Sequence, residues 1–174
     1  QCEVETDVSE FLNIQKYEPQ QSAQLSGMPR GNFPGFVRKT DQERIQNVNI
    51  NRLPNVLYEV TEKLEGSSMT VYCYYGEIGV CSRNIDLIDD DEENTFWRVA
   101  KEQKLDLIVK QYYEETGRSV ALQGELVGEG VQGNIYNIKG NKFYLFDVWD
   151  IDNQCYYDAE SRKHFSVAHG INHV

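Results

Sequence analysis

No apolar run in this 174-residue chain approaches the roughly 20 residues needed to cross a bilayer, and no charged, apolar, small-residue sequence opens it. A soluble chain without a membrane partner is therefore expected. The first residue is Gln1 rather than Met, so the chain is expected to start inside a longer gene product. Cysteine is sparse. Cys2, Cys73, Cys81 and Cys155 contain no C-x-x-C pair and lack the crowding of a disulfide-stapled domain. A two-residue turn at Gly76-Glu77 would place Cys73 opposite Val80 and Cys81 opposite Tyr72, on different sheet faces, whereas a three-residue loop would bring the sulfurs together. Reduced thiols and an intracellular setting are expected.

Positive charge is also scarce: 17 basic against 28 acidic residues give a net charge of −11. Such a surface repels polyphosphate, so a nucleic-acid partner requires a local basic patch or a metal. The run DLIDDDEE, Asp86 to Glu93, holds six carboxylates in eight residues but lacks the spaced ligands of a calcium loop. It reads as a solvated acidic loop before a helix. No Walker A sequence is present. GEGVQG, Gly128 to Gly133, spells G-x-G-x-x-G, yet a dinucleotide site needs a helix N-terminus directly after the glycines, and NIYNIKGNKFYLF reads as turn and strand. His169 and His173 stand four apart near the C-terminus and read as part of a frayed tail rather than as metal ligands.

What is present suffices for one core: 40% hydrophobic residues, with eleven tyrosines, seven phenylalanines and two tryptophans. Residues 1–35 are polar and turn-rich and read as connecting chain. Residues 36–47 predict a short helix or turn carrying Arg38, Lys39 and Arg44. Strand-like runs follow in VLYEVTEK, SMTVYCYY and IGVCSRN, then one helix from Asn94 or Thr95 to Gly117 with an apolar stripe of Trp97, Ala100, Leu105, Ile108 and Tyr112. SVALQGELVG and KFYLFDVWDI are strands again. Strands with one solid helix and no βαβ alternation predict an α+β fold of largely antiparallel sheet with flanking helices.

Lys63, in TEKLEGSS, sits between Glu62 and Glu65, which favour its charged form, whereas a nucleophilic lysine must be neutral. Nine lysines and thirteen glycines give roughly 0.7 chance K-x-x-G matches, so the tetrapeptide alone carries little weight. It is followed in order by CSRN, LQGELVGEGVQGNIY and FYLFDVWD. This ordered set resembles the covalent nucleotidyltransferases, and among them the ATP-dependent RNA ligases that seal nicks and carry an upstream OB-type module. The resemblance covers roughly residues 30–152.

The resemblance implies a nucleotidyltransferase fold in residues 36–174, with residues 1–35 leading from an absent upstream module. It implies that Lys63 attacks the α-phosphate of ATP to give lysyl-AMP, that Gly66 lets the backbone pass close to the nucleotide, and that Arg83 holds a nucleotide phosphate or an RNA end. Glu125 would bind the ribose hydroxyls, Phe146 would stack on adenine, and Thr61 and Glu62 would line the adenine pocket. A magnesium or manganese ion held through its waters by Glu65 and Glu125 would reverse the local field and favour the neutral amine. Lys39 and Arg44 supply the best candidate basic patch for the β and γ phosphates, the alternative being a plain surface helix. The expected partner is a nicked RNA duplex with 3′-hydroxyl and 5′-phosphate ends, bound by a monomer. The family pattern continues with a further glutamate strand and a K-x-K strand, so the chain is expected to be a fragment incomplete at its C-terminal end. A DNA ligase or capping guanylyltransferase using the same lysine chemistry, and a noncatalytic nucleotide-binding domain, are the competing readings.

Overall fold

The computed structural model describes residues 29–89 and 94–174, together with Leu12. Seven strands form one sheet: β1 (Pro29–Asn32), β2 (Ser67–Tyr74), β3 (Glu77–Cys81), β4 (Ile85–Leu87), β5 (Val120–Gly128), β6 (Asn141–Asp150) and β7 (Cys155–Tyr156). Their order is β1-β4-β3-β2-β5-β6-β7, and each pair is antiparallel. Among the described residues three helices accompany them, α1 (Thr95–Glu102), α2 (Leu105–Thr116) and α3 (Ala159–His169). The α+β architecture is the one the sequence pattern predicts. No helix among the described residues is long and apolar enough to cross a membrane.

Period-two alternation divides the sheet's residues between two faces. Met69, Val71, Leu122, Leu126, Phe143 and Val148 face the helices, where they meet Phe96, Trp97, Leu105, Val109 and Phe165. Burying each such side chain contributes roughly 1.5–3 kcal/mol. On the opposite face a smaller cluster of Tyr72, Cys81, Ala121 and Trp149 is covered by Val37, Phe33 and Phe36. That cover comes from the segment after β1 and leaves the β2–β5 end of the face to the candidate site.

Several sequence expectations are corrected. The predicted single helix is broken at Lys104, whose backbone is left-handed at φ 58°. Both halves reach β3, but from there α1 extends to β6 and α2 to β2 and β5, which one straight helix would not follow. Residues 36–47, expected as a short helix or turn, take the turn form, with a 3-10 turn at Ile45–Asn47 and a second just beyond at Ile50–Arg52. The run after Val56 is not a strand, because both edges of β2 are already taken by β3 and β5. Leu57 and Val60 are accordingly almost fully exposed.

The β2–β3 turn is Tyr75-Gly76, one residue earlier than expected, with φ of 47° and 86°. It remains a two-residue turn, so Cys73 and Cys81 do lie on opposite faces, and both are free thiols, as is the exposed Cys155. Residues 90–93 of the acidic run, and Cys2, lie outside the described residues. Asp86, at the start of that run, is not solvated: it is buried in β4 and accepts hydrogen bonds from Arg30 Nε at 2.8 Å and Tyr72 Oη at 3.0 Å. Those bonds tie β1 to the sheet, although β1 falls in the stretch read as connecting chain. The C-terminal tail is anchored rather than frayed, since Leu145 N–H donates to Asn172 O and Val174 N–H to Leu145 O. Before it, α3 escaped the sequence reading, although Asp158 caps its start and left-handed Gly170 its end.

Candidate active site

The chain enters β2 through Gly66, which crosses directly over β5. A β-carbon there would collide with the Leu126 carbonyl oxygen and lie 2.8 Å from both Glu125 Cγ and Val127 Cγ1. The close approach that demands glycine is thus to β5, a requirement additional to the nucleotide approach implied by the resemblance. One residue earlier, the Glu65 N–H donates to Tyr136 Oη at 2.8 Å, so the Gly- and Asn-rich connection between β5 and β6 braces the same loop. That connection holds no helix after the glycines, as expected for a false dinucleotide motif.

Pairing of Ser68 with Glu125 places the glutamate on the open face beside this crossing. Burial pushes the Glu125 carboxyl above the usual carboxylate range, while Lys63, the Gly66 N–H and Arg83 pull it partly back. Gly66 thus lies against Glu125, and the charges of Lys63 and Arg83 act on the same carboxyl, across 63 positions of sequence. Lys63 is exposed and forms no ion pair with Glu62 or Glu65, whose side chains are also exposed. A carboxylate whose ionised form is undercompensated fits a cation nearby. Among the described residues no three His, Cys, Asp or Glu side chains gather to hold a metal directly.

The wall of this face is the segment at 36–41. Gln123 Nε2 donates to Arg38 O at 2.6 Å, Trp149 Nε1 donates to Phe36 O at 3.1 Å, and the Thr40 and Ser68 hydroxyls lie 3.1 Å apart. It reaches the β3–β4 turn through Lys39 Nζ, which donates to Asn84 Oδ1 at 3.1 Å, and through a 2.6 Å ion pair of Asp41 with Arg83. Lys39 therefore stands on the site's rim beside Arg83. Arg44 is exposed and has no side-chain partner among the described residues, so no observed contact joins it to Lys39.

Phe146 is the unpaired residue of a β-bulge, between Leu145 opposite Gly124 and Asp147 opposite Gln123. Bulges re-aim side chains, and Phe146 is half-buried and belongs to neither core cluster. Thr61 and Glu62 lie exposed on the unpaired approach to Lys63. Sequence reasoning missed Glu59, Tyr136, Asp147 and Arg162, which brace this approach; only long-range geometry reveals them.

Comparison with known proteins gives the family. The RNA ligase family model matches residues 57–174. Structures of Naegleria gruberi RNA ligase are similar. A lysine-to-alanine variant with ATP and Mn is 41% identical over 97% of this chain and 51% of that one, with a TM-score of 0.83. An apo aspartate-to-alanine variant is 42% identical over 99% and 51%, at 0.84. The enzyme with PPi is 40% identical over 99% and 52%, at 0.78. No curated protein matches. The chain belongs to the RNA ligase family, and it spans about half the length of the solved relatives it matches.

Proposed function

We propose that this chain is the nucleotidyltransferase core of an ATP-dependent RNA ligase, residues 36–174 forming that domain and residues 1–35 leading into it. The observation that carries the reading is the close packing of Gly66 on the partly buried Glu125, a carboxyl on which the charges of Lys63 and Arg83 also act. Relatives solved with ATP and Mn and with PPi support the choice of nucleotide, metal and leaving group.

In this reading Lys63 Nζ, having lost its proton to solvent, attacks the α-phosphorus of ATP. The new P–N bond gives lysyl-AMP as the P–O bond to pyrophosphate breaks. Magnesium or manganese, held through water by Glu65 and Glu125, supplies positive charge that favours the neutral amine and draws charge from the phosphate. Glu125 also receives the ribose hydroxyls, Phe146 offers its ring to adenine, and Thr61 and Glu62 line the pocket's approach. Arg83 and Lys39 hold phosphate oxygens on the rim, with Arg44 further along the same segment. A 5′-phosphate oxygen of RNA next attacks the adenylate phosphorus, freeing Lys63. A 3′-hydroxyl then attacks the activated 5′-phosphate and expels AMP. The substrate is a nicked RNA duplex, and the active form is a monomer acting inside the cell.

The test is incubation with labelled ATP and manganese, followed by peptide mapping. Covalent AMP on Lys63, lost in Lys63→Ala, is expected. An adduct on another lysine overturns the assignment; label from GTP alone points to capping chemistry, and no label to a noncatalytic domain.

A further inference from the structure

Arg162 is a guanidinium kept nine-tenths from solvent on α3, and a buried cation persists only when paired. Its partners come from three separate places. Nη2 pairs with Glu59 Oε2 on the approach to Lys63, Nη1 lies 3.4 Å from Asp147 Oδ1 beside the Phe146 bulge, and Nε donates to His173 Nε2 at 3.0 Å in the anchored tail. Lys163 adds a 2.6 Å ion pair to Glu59 Oε1.

The importance of this cluster follows from what surrounds Glu59. Residues 56–62 pair with no strand, and Leu57 and Val60 lie in solvent. Among the described residues, Glu59 alone in this stretch makes a side-chain hydrogen bond or ion pair beyond its own segment; Tyr58 Oη reaches only Pro54 O. Lys63, four residues on, thus hangs between two fixed points: Glu59 on α3, and the Glu65-Gly66 crossing on β5. Arg162 also touches Asp147, so one side chain links the nucleophile's approach to the strand bearing Phe146.

We infer that Arg162, acting through Glu59, is a positioning residue that sets the reach of Lys63 toward the α-phosphate of ATP. The inference rests on the lysyl-AMP reading above. Angstrom-scale misplacement of a reacting group costs on the order of a hundredfold in rate. A folding defect instead lowers the fraction of active molecules and leaves each remaining molecule's rate unchanged.

The experiment measures single-turnover lysyl-AMP formation in the full-length protein at saturating ATP and manganese, for wild type, Arg162→Gln, Glu59→Gln and the double variant. Expected are rate constants about ten- to a hundredfold lower in each single variant, with the labelled fraction retained. The double variant should be no slower than the slower single, because both changes break one link. A wild-type rate constant in Glu59→Gln, which removes no buried cation, overturns the inference; so do additive losses, or a loss confined to labelled fraction and Tm. Wild-type protein that forms no adduct on Lys63 overturns the function reading, and the inference with it.

Discussion

Gly66 and Leu126 are in backbone contact: no β-carbon fits at Gly66 without moving the Leu126 carbonyl of β5. Since that carbonyl belongs to a central strand paired on both sides, the loop must yield instead. Gly66→Ala is expected to cost about 1–3 kcal/mol, the usual range for overpacking, and to slow lysyl-AMP formation by displacing Lys63. Denaturant melts and labelling with ATP check both. Full activity in Gly66→Ala would show that Lys63 tolerates a shifted crossing.

Glu125 predicts an opposition between stability and activity. Burial raises its folded pKa above the unfolded value, so the fold favours the neutral acid. Stability from this group is complete below the unfolded carboxylate pKa, about 4.3, and is lost as pH rises through the higher folded value. Glu125→Gln, neutral throughout, should therefore melt at a higher temperature than wild type at pH 7 without metal or nucleotide, and the advantage should vanish near pH 4. Lysyl-AMP formation should fall strongly in the same variant. A lower Tm at pH 7 would show that Lys63 and Arg83 compensate the charge fully.

Much of the candidate site is legible in sequence because its motifs are local and ordered: K-x-x-G carries little weight alone, but with CSRN, the glycine-flanked Glu125 and the aromatic run of β6 following in order it carries the resemblance. The antiparallel α+β class follows from strand runs without βαβ alternation. What sequence does not show are pairings with no local signature. Arg162 meets Glu59 across 103 positions, and Asp86 hides as a buried acceptor within a run that otherwise reads as solvent-exposed. The break at Lys104 lets α1 extend to β6 and α2 to β2 and β5, and lysine gives no hint of a left-handed backbone. By contrast, α3 carries its own signals in Asp158 and Gly170.

The two ends of the acidic run should behave differently. Asp86→Ala leaves the Tyr72 hydroxyl and Arg30 without their acceptor and is expected to cost roughly 1–3 kcal/mol. Asp89→Asn breaks only a half-exposed 2.6 Å pair with Lys101, worth up to about 1 kcal/mol. Neither should reduce the rate constant of lysyl-AMP formation as Glu65→Ala does. A larger rate loss in Asp89→Asn than in Glu65→Ala would move the metal to the acidic run.

Arg83 has a carboxylate partner where the proposed reaction needs a phosphate. Its guanidinium is 68% exposed and pairs with the 63% exposed Asp41 at 2.6 Å, an arrangement worth up to about 1 kcal/mol in water. A phosphate must displace Asp41 or share the guanidinium with it. Asp41→Asn removes the competitor while keeping the side chain's shape, so Tm should stay within about 2 °C of wild type, as for most surface changes. The apparent KM for ATP, or for the nicked RNA end, should fall by up to about fivefold, the equivalent of that pair energy. Arg83→Ala should raise the same KM, and Asp41→Asn combined with Arg83→Ala should match Arg83→Ala alone. The pattern across the two substrates identifies which phosphate Arg83 holds. An Asp41→Asn variant that binds both substrates more weakly than wild type would show that the pair orients Arg83 rather than occupying it.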